Sequence, residues 1–323
     1  MKIVDLHCDT LSALRMAARK GETKALGSND LHIDLDKLEK GGSLLQCFAA
    51  FVFLGEEGDP LLSALEQIDL FYQAMERHSE RIRQVKTWAD LERNRAGGKL
   101  SAMLTLEDGG MCRGDLSVLR TLYRLGARIM SLTWNFENEI AFPNRFDMAT
   151  GAAAPENERG LKERGYEFIA EMERLGMIVD VSHLGDDGFW DVVKYCDGPF
   201  VASHSNARAV CGHTRNLTDG MIRALADKGG VMGLNFCGDF LERGSQGTLE
   251  EMIRHLRHVR NVGGIGVIGL GTDFDGIDNV PEVEHAGQMP RLAEAMDQAG
   301  FSASEIDAVF SGNVLRVYRA CMK

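Results

Sequence analysis

The first residues that could do chemistry are a histidine and an aspartate two positions apart near the start of the chain. His7 and Asp9 follow a short apolar run, with Cys8 between them. Because side chains along a strand alternate between its two faces, His7 and Asp9 should project to one side and Cys8 to the other. A neutral imidazole and a carboxylate are both zinc ligands. The pair alone is a weak signal, since hydrogen-bonded core histidines are common, and it predicts half of a metal site.

Further acids and histidines stand at the ends of later strand-like runs, at Glu107, His183, His204 and Asp273. If the carboxyl ends of parallel strands meet at the rim of one barrel, these side chains converge there with the first pair. Three histidines and three acids exceed what one ion needs, and a carboxylate between two ligand sets can bridge ions about 3.5–4 Å apart. The sequence therefore predicts a two-metal hydrolytic site.

Alternating strands and helices would position these residues. Eight β-rich runs are separated mostly by stretches with helical periodicity, which predicts βαβ units and a parallel sheet. We therefore predict an α/β protein in which residues 1–323 form a single closed (β/α)8 TIM barrel of the metal-dependent hydrolase type. An open doubly wound sheet is the alternative, but no GxGxxG loop follows the first strand. The predicted strands are Lys2–Cys8, Ser43–Phe53, Ala102–Leu106, Ala127–Thr133, Met177–Ser182, Pro199–Ser203, Gly230–Phe236 and Val267–Thr272. The predicted helices are Leu61–Arg83, Leu116–Leu125, Lys162–Leu175, Gly188–Cys196, Thr218–Lys228 and Leu249–Val262.

Composition narrows the classes of partner and the compartment. The chain carries 36 basic and 48 acidic residues and a formal charge of −12, which argues against broad binding to nucleic acids or anionic membranes. Its seven cysteines are scattered without a CxxC spacing, so neither a disulfide framework nor a zinc finger is indicated. No secretory signal and no apolar run of membrane-spanning length is visible. We predict a reduced, cytoplasmic protein.

Two remaining features are less specific. The segment from Asn135 to Gly160 has little periodicity, and a connection of this length within a compact domain is a candidate lid. His255 and His258 lie three positions apart in a basic helical segment away from any strand end, and we interpret them as part of a solvated helix face. His32 is isolated and is interpreted as a surface residue.

Taken in order, the motifs resemble those of the membrane (renal) dipeptidase family, a zinc metallopeptidase branch of the amidohydrolase-like barrels. The resemblance covers essentially the whole chain. Its motifs are Asp5-Leu6-His7-Cys8-Asp9, Glu107-Asp108-Gly109, Asp180-Val181-Ser182-His183, His204-Ser205-Asn206-Ala207-Arg208 with His213-Thr214-Arg215-Asn216, Gly271-Thr272-Asp273-Phe274-Asp275-Gly276, and Gly312-Asn313-Val314-Leu315-Arg316-Val317.

The resemblance implies a division of the metal ligands. His7 and Asp9 would bind one zinc ion, His183 and His204 a second, and Glu107 would bridge the two. A hydroxide between the ions would be the nucleophile, because coordination lowers the pKa of bound water to about 7. The implied activity is zinc-dependent hydrolysis of dipeptides, with tolerance of L-Xaa-D-Xaa substrates.

The resemblance also implies roles beyond the metal ligands. Asp273 would take the proton of the nucleophile and pass it to the leaving amine. Arg215 would bind the C-terminal carboxylate of the substrate, which suits a planar guanidinium. Related enzymes are often dimers, which leaves a homodimer open, although no interface signal is visible in the sequence.

One position departs from the family pattern. Many members have a histidine after the fourth strand that helps to stabilise the oxyanion, but here the chain reads Leu132-Thr133-Trp134-Asn135. An indole donates one N–H and carries no charge. Loss of an oxyanion donor costs about 10²–10³ in turnover if nothing replaces it. The hypotheses are that Trp134, Asn135 or Asn138 partly substitutes, or that Trp134 reshapes the substrate pocket.

Two other functions remain open at this stage. The first is another amidohydrolase-type reaction on the same barrel, with a cyclic amide, β-lactam, lactone or phosphotriester as substrate, because barrels host many chemistries. Such relatives usually open with H-x-H and use a modified lysine as the bridge, whereas this chain has H-x-D and Glu107. The second is a metal-loaded barrel that binds a ligand without turnover, and the complete ligand set with Asp273 speaks against it.

Overall fold

The computed structural model describes residues 2–55, 58–147 and 159–322. Strands and helices alternate along these ranges, as the sequence predicts. The strands are β1 (Ile3–Asp5), β2 (Ser43–Phe51), β3 (Ile82–Gln84), β4 (Leu100–Glu107), β5 (Ala127–Ser131), β6 (Ile178–Asp180), β7 (Val201–Ala202), β8 (Val231–Leu234) and β9 (Ile268–Leu270). The helices are α1 (Thr10–Arg19), α2 (Leu35–Gly41), α3 (Pro60–Arg77), α4 (Trp88–Ala96), α5 (Leu116–Arg124), α6 (Glu163–Leu175), α7 (Asp186–Tyr195), α8 (Asp219–Asp227), α9 (Gly238–Leu241), α10 (Leu249–Gly263), α11 (Pro290–Gln298), α12 (Ala303–Asp307) and α13 (Asn313–Cys321).

Eight of these strands close into a parallel barrel. They follow one another around the ring as β1, β2, β4, β5, β6, β7, β8 and β9, and β9 pairs with β1 to complete it. β2 pairs directly with β4, and the last pair of this register sets Phe51 beside Glu107. The predicted α/β (β/α)8 barrel is therefore confirmed, with all eight predicted strands in the ring. The assignment of residues 1–323 to one domain stays a prediction.

The strand outside the barrel, β3, lies where the sequence predicts the end of a helix. The helix predicted for Leu61–Arg83 ends at Arg77, and the chain turns and continues as β3, which pairs with the start of β4 outside the ring. Ile82 is fully buried in this strand. A single apolar residue just beyond an amphipathic helix continues the helical pattern, so periodicity alone does not reveal the turn before it.

The barrel interior changes from apolar to polar towards the rim where the strands end. A lower layer of buried side chains is apolar: Met103, Ile129, Ile178, Val201 and Val231. Two positions further along four of the same strands, the buried residues are Thr105, Ser131, Asp180 and Ser203. Because residues two apart share a face of a strand, these polar groups lie above the apolar layer. α13 covers the lower end, where the Tyr318 hydroxyl lies 3.0 Å from Cys47 Sγ.

Throughout the part of the chain that the structure describes, no helix has both the length and the apolar character to cross a bilayer. All seven cysteines are free thiols. Residues 148–158, within the predicted lid, lie outside the described residues.

Candidate metal centre

The first half of the centre is built where β1 and the neighbouring β9 end. His7 Nε2 lies 3.2 Å from Asp9 Oδ2 and 3.8 Å from Asp273 Oδ1. Asp5, the last residue of β1, accepts hydrogen bonds from the backbone N–H of Thr272 at 3.0 Å and from its hydroxyl at 2.7 Å. These bonds tie the end of β9 to β1 and bring the three predicted site residues together.

The second half is built where β6 and β7 end. His183 and His204 face each other with their Nε2 atoms 2.9 Å apart. The Ser203 hydroxyl donates to Asp180 Oδ2 at 2.5 Å and lies 2.7 Å from His204 Nδ1. Because the serine proton is directed at the carboxylate, the imidazole N–H must be the donor to the serine oxygen. Asn135 Oδ1 lies 2.9 Å from His183 Nδ1 and sets the same tautomer there. Both rings therefore present an Nε2 lone pair to the centre.

Glu107 joins the two halves. Its Oε2 atom lies 3.3 Å from His7 Nε2, whereas its Oε1 atom lies 3.2 Å from His183 Nε2 and 3.6 Å from His204 Nε2. The rings of His7 and His204 stack with centroids 4.0 Å apart. One carboxylate thus offers one oxygen to each half, which is the arrangement that a bridging ligand requires.

These residues fit a pair of divalent cations. The ligand atoms of His7, Asp9 and Glu107 lie within 4.8 Å of one another, and so do those of Glu107, His183 and His204. Asp9 Oδ1 is buried without a hydrogen-bond partner among the described residues. Buried polar atoms in folded proteins are normally paired, so this oxygen lacks the interaction that a cation supplies. Imidazole nitrogens with carboxylate oxygens are a donor set suited to zinc.

The pKa values of the centre reflect buried acids without compensating charge. Burial raises the pKa of Glu107 to about 8 and that of Asp273 to about 6. Burial alone would lower the pKa of His7, but the carboxylates of Glu107 and Asp9 outweigh it and hold that pKa well above its usual value. Burial lowers the pKa of His183 and His204 well below the usual range, and the nearby charge of Arg215 adds to the effect. Nearby cations favour ionised carboxylates and unprotonated imidazoles.

The backbone is unusual at two of these positions. His183 and Asp273 have φ angles of 66° and 62°, a left-handed conformation that is rare for non-glycine residues. Strained backbone of this kind costs of order 1–3 kcal/mol and clusters at functional sites. The following loop also passes very close to the ligands, since a Cβ on Gly276 would lie 2.2 Å from Asp9 Oδ2. Only glycine fits this approach without displacing the carboxylate.

A cleft of about 710 Å³ opens above the centre. Trp134 and Asn135 line it together with Glu107, His183 and Asp273, and the role of Trp134 and Asn135 as substrate contacts stays a prediction. The volume lies within the 300–1,000 Å³ range of small-molecule sites. The cleft therefore connects the proposed ligands to bulk solvent.

Arg215 is placed differently from Trp134 and Asn135. It is buried in the loop after β7, where its Nη2 donates to the backbone oxygen of His204 at 3.3 Å. Its Nε atom has no hydrogen-bond partner within the described ranges. The guanidinium lies 5.4 Å from the centroid of the Phe240 ring, which is part of the cleft wall. A buried donor without a partner suits a carboxylate ligand, but Arg215 is not among the residues that line the cleft, so its role in binding the substrate stays a prediction.

The structure narrows the hypotheses about the missing oxyanion donor. The side-chain amide of Asn138 donates to Asp108 Oδ1 and to the backbone oxygen of Leu132, and its oxygen accepts two backbone N–H groups. Because this amide has no free N–H for an oxyanion, the hypothesis that Asn138 substitutes is wrong. The oxygen of Asn135 faces His183 instead. Trp134 remains, and its position on the cleft wall agrees with a reshaped pocket.

The structure differs from the predictions for two histidines outside the metal centre, and it shows one contact that the sequence does not predict. His255 is fully buried, accepts the backbone N–H of Ala207 at 3.0 Å and bonds Leu241 O at 2.9 Å, so it is a core residue and not part of a solvated helix face. His32 accepts the backbone N–H of Asp275 at 2.9 Å and is partly buried. The contact of Ser203 with His204 was missed, although the Ser-His pair was visible in the sequence.

Comparison with known proteins gives three concordant results. The family model described as membrane dipeptidase (peptidase family M19) matches residues 1–323. An uncharacterised protein from the pqqA 5′ region of Klebsiella pneumoniae is 33% identical over 81% of this chain and 97% of its own length. An uncharacterised dipeptidase of Schizosaccharomyces pombe is 31% identical over 98% of this chain and 80% of its own length. The crystal structure of a metallopeptidase from Rhodobacter sphaeroides, liganded with a phosphinate mimic of L-Ala-D-Ala, superimposes with a TM-score of 0.90 at 26% identity, covering 99% of each chain.

Proposed function

We propose that the centre of this chain holds two zinc ions, with which the protein cleaves dipeptides. The chain belongs to the membrane dipeptidase family (peptidase family M19) and is a metallo-dipeptidase. The observation that carries the proposal is the placement of Glu107. Its two oxygens face two separate sets of ligands, His7 with Asp9 and His183 with His204. A single ion would leave one of these buried sets without a cation.

The bound ions would polarise the scissile carbonyl and supply an ionised water as the nucleophile. The chain's own part begins with orientation of the ligands. Asn135 and Ser203 fix the tautomers of the two histidines on the β6–β7 side, so that no ring rotation or proton shift precedes binding.

Asp273 is the proposed proton carrier. Asn235 Nδ2 donates to its Oδ2 at 2.9 Å, which leaves Oδ1 facing the centre at 3.8 Å from His7 Nε2. A carboxylate held by one oxygen with the other directed at the reacting groups can accept a proton from the nucleophile and return it to the leaving amine. The left-handed backbone at this residue fixes that direction.

Arg215, Trp134 and Asn135 are the proposed substrate contacts. The unpartnered Nε of Arg215 suits the C-terminal carboxylate, whereas the acids of the cleft favour a cationic amine. The Rhodobacter sphaeroides enzyme that shares the fold binds a mimic of L-Ala-D-Ala. We extend that to this chain as a preference for L-Xaa-D-Xaa dipeptides.

The test combines metal analysis with a substrate screen. Purified protein is analysed for zinc per chain and assayed on matched L-Xaa-D-Xaa and L-Xaa-L-Xaa dipeptides, before and after chelation and zinc return. Two zinc ions per chain and cleavage that disappears and returns with the metal support the proposal. One ion per chain contradicts the two-metal site, and a zinc-loaded protein that cleaves none of the dipeptides contradicts the activity.

The compartment and the assembly are proposals of their own. We propose a reducing, cytoplasmic location because all seven cysteines are free and none is placed as a pair. Treatment of intact cells with a membrane-impermeant thiol reagent should leave the two partly exposed cysteines, Cys237 and Cys321, unlabelled. A homodimer, as implied by the family resemblance, is tested by the mass of the native protein in solution.

A further inference from the structure

We infer that the cleft selects dipeptides whose C-terminal residue carries an aromatic side chain, which packs against a wall formed by Trp134 and Phe51. This inference rests on the proposed dipeptidase function and adds the substrate class. The residues of the wall are proposed to contact the substrate, and neither of them is a proposed metal ligand.

The wall is a supported cluster of aromatic rings. Trp134 and Phe51 line the cleft, with ring centroids 5.0 Å apart in an edge-on arrangement. Behind them, Phe53 meets Trp134 edge-on at 5.4 Å and Phe136 at 5.3 Å, while Phe136 stacks on Trp134 at 6.0 Å. Trp134, Phe53 and Phe136 each contact at least two other rings in preferred geometries, and Phe51 packs on Trp134, so packing holds the surface that faces the cleft.

The wall begins directly beside the centre. The ring of Trp134 lies 5.9 Å from that of His183. Phe51, the last residue of β2, pairs in register with Glu107, the last residue of β4. The side chain of the C-terminal residue, whose Cβ is three bonds from the scissile carbonyl carbon, can therefore reach both rings.

The opposite side of the cleft is acidic. In the ring of eight strands, β9 is four strands from β5 in either direction, so the loops after these strands face each other across the rim. Asp275 and Asp278 line the cleft after β9, and Asp239 lines it after β8. This side attracts the cationic amine of a dipeptide and leaves the aromatic side to an uncharged group.

The C-terminal residue is the one placed at the wall. Its carboxylate and its side chain leave the same Cα, so their partners must lie on one side of the centre. Arg215 and Trp134 both lie beside the β6–β7 half of the centre, because Arg215 Nη2 donates to the backbone oxygen of His204 at 3.3 Å and the Trp134 ring lies 5.9 Å from that of His183. The carboxylate then meets Arg215 and the side chain meets Trp134, with the amine towards Asp278.

The expected selectivity follows from burial. An aromatic side chain against Trp134 and Phe51 loses apolar surface to the wall and gains ring contacts, whereas a methyl group reaches little of it. We expect kcat/KM for Ala-Phe to exceed that for Ala-Ala by tenfold or more, with either configuration of the second residue. For Phe-Ala the advantage over Ala-Ala should stay within about threefold.

The experiment measures these ratios in the zinc-loaded enzyme and in matched variants. Trp134→Ala should lower the Ala-Phe to Ala-Ala ratio about tenfold, Phe51→Leu should lower it several-fold, and Trp134→Phe should keep most of it. Trp190→Ala is the control, because Trp190 lies on α7, is 44% exposed and is not part of the cleft lining. It should leave the ratio unchanged.

Three results would overturn the inference. They are equal kcat/KM for Ala-Phe and Ala-Ala, a preference carried by the first residue instead of the second, or a ratio that Phe51→Leu and folded Trp134→Ala leave unchanged. Each of these requires that the wild-type enzyme cleaves dipeptides. Absence of all cleavage by the zinc-loaded wild type would instead overturn the proposed function, so the two failures are distinguishable.

Discussion

The two halves of the candidate metal centre share one hydrogen-bonding pattern, in which an aspartate at a strand end accepts a hydroxyl, but the pattern has a different effect in each half. β1 and β6 both read Ile-Val-Asp, and the terminal aspartates Asp5 and Asp180 each accept a hydroxyl from the neighbouring strand end. On the β1–β9 side that hydroxyl belongs to Thr272, which also approaches the His7 backbone oxygen at 3.5 Å. On the β6–β7 side it belongs to Ser203, which contacts the ring of His204 itself. The hydroxyl therefore positions the backbone on the β1–β9 side, whereas on the β6–β7 side it fixes the tautomer of His204.

The halves also differ in charge. The β1–β9 half contains the carboxylates of Asp9 and Asp273, and those of Glu107 and Asp9 hold the pKa of His7 above its usual value against the effect of burial. The β6–β7 half presents two imidazoles whose pKa values are lowered. Without metal, protons compensate the buried acids of the first half, whereas the second half is already neutral. Metal binding should therefore compete with protons mainly on the β1–β9 side.

The largest expected effect comes from removing the residue that the halves share. Glu107→Gln keeps the shape but loses the charge that faces both ligand sets, and kcat/KM should fall by about 10³-fold or more, with reduced zinc content. Glu294→Gln on the exposed face of α11 is the control and should change neither value. Retention of both full zinc content and activity in Glu107→Gln would contradict the bridging role.

The next effect separates proton transfer from metal binding within the β1–β9 half. Asp273→Asn keeps the hydrogen-bonding size of the side chain but removes the base, and kcat should fall roughly 10²–10³-fold. Zinc content should stay at the wild-type value, because the ligands of both sets remain. Loss of an ion in this variant would make Asp273 a ligand and not a proton carrier.

A smaller effect compares the two hydroxyls directly. Ser203→Ala removes the group that holds His204 Nδ1, and zinc affinity should weaken about 10–100-fold, as for other residues that orient a metal-bound histidine. Thr272→Val removes the matching hydroxyl, which bonds Asp5 and no ligand ring. It should cost about 1 kcal/mol of folding free energy and little zinc affinity. Zinc titrations and thermal unfolding check both; equal losses of affinity would remove the distinction between the halves.

The smallest effect is a dependence of zinc binding on pH. In the metal-free protein, burial raises the pKa of Glu107 to about 8, and the carboxylates of Glu107 and Asp9 hold the pKa of His7 above its usual value, so this pair shares a proton at pH 7 that zinc must displace. Apparent affinity should weaken by up to about tenfold as the pH falls from about 8 to 7, as expected for one displaced proton. Calorimetry in two buffers with different ionisation enthalpies measures the proton release. No release at pH 7 would contradict this account of the first half.

Much of the fold, and the meeting of the candidate ligands at one rim, could be predicted from local sequence patterns. Buried parallel strands give short apolar runs, and their carboxyl ends mark where His7, Glu107 and His183 must project. The end of α3 could not be predicted, because Ile82 continues the helical pattern while being buried in a strand. His255 was misread for a related reason, since its partners Ala207 and Leu241 are distant in sequence.

The sequence by itself determined the eight strands of the barrel, the identity of the residues at their ends and the family to which the chain belongs. The tertiary structure decided which oxygen of Glu107 faces which half, that Ser203 links Asp180 to His204, that Asn138 is occupied, and that Trp134 and Phe51 form one wall of the cleft. The physical reason is distance along the chain. Periodicity reports which face of its own strand or helix a residue occupies, whereas these contacts join strands that only closure of the barrel brings together.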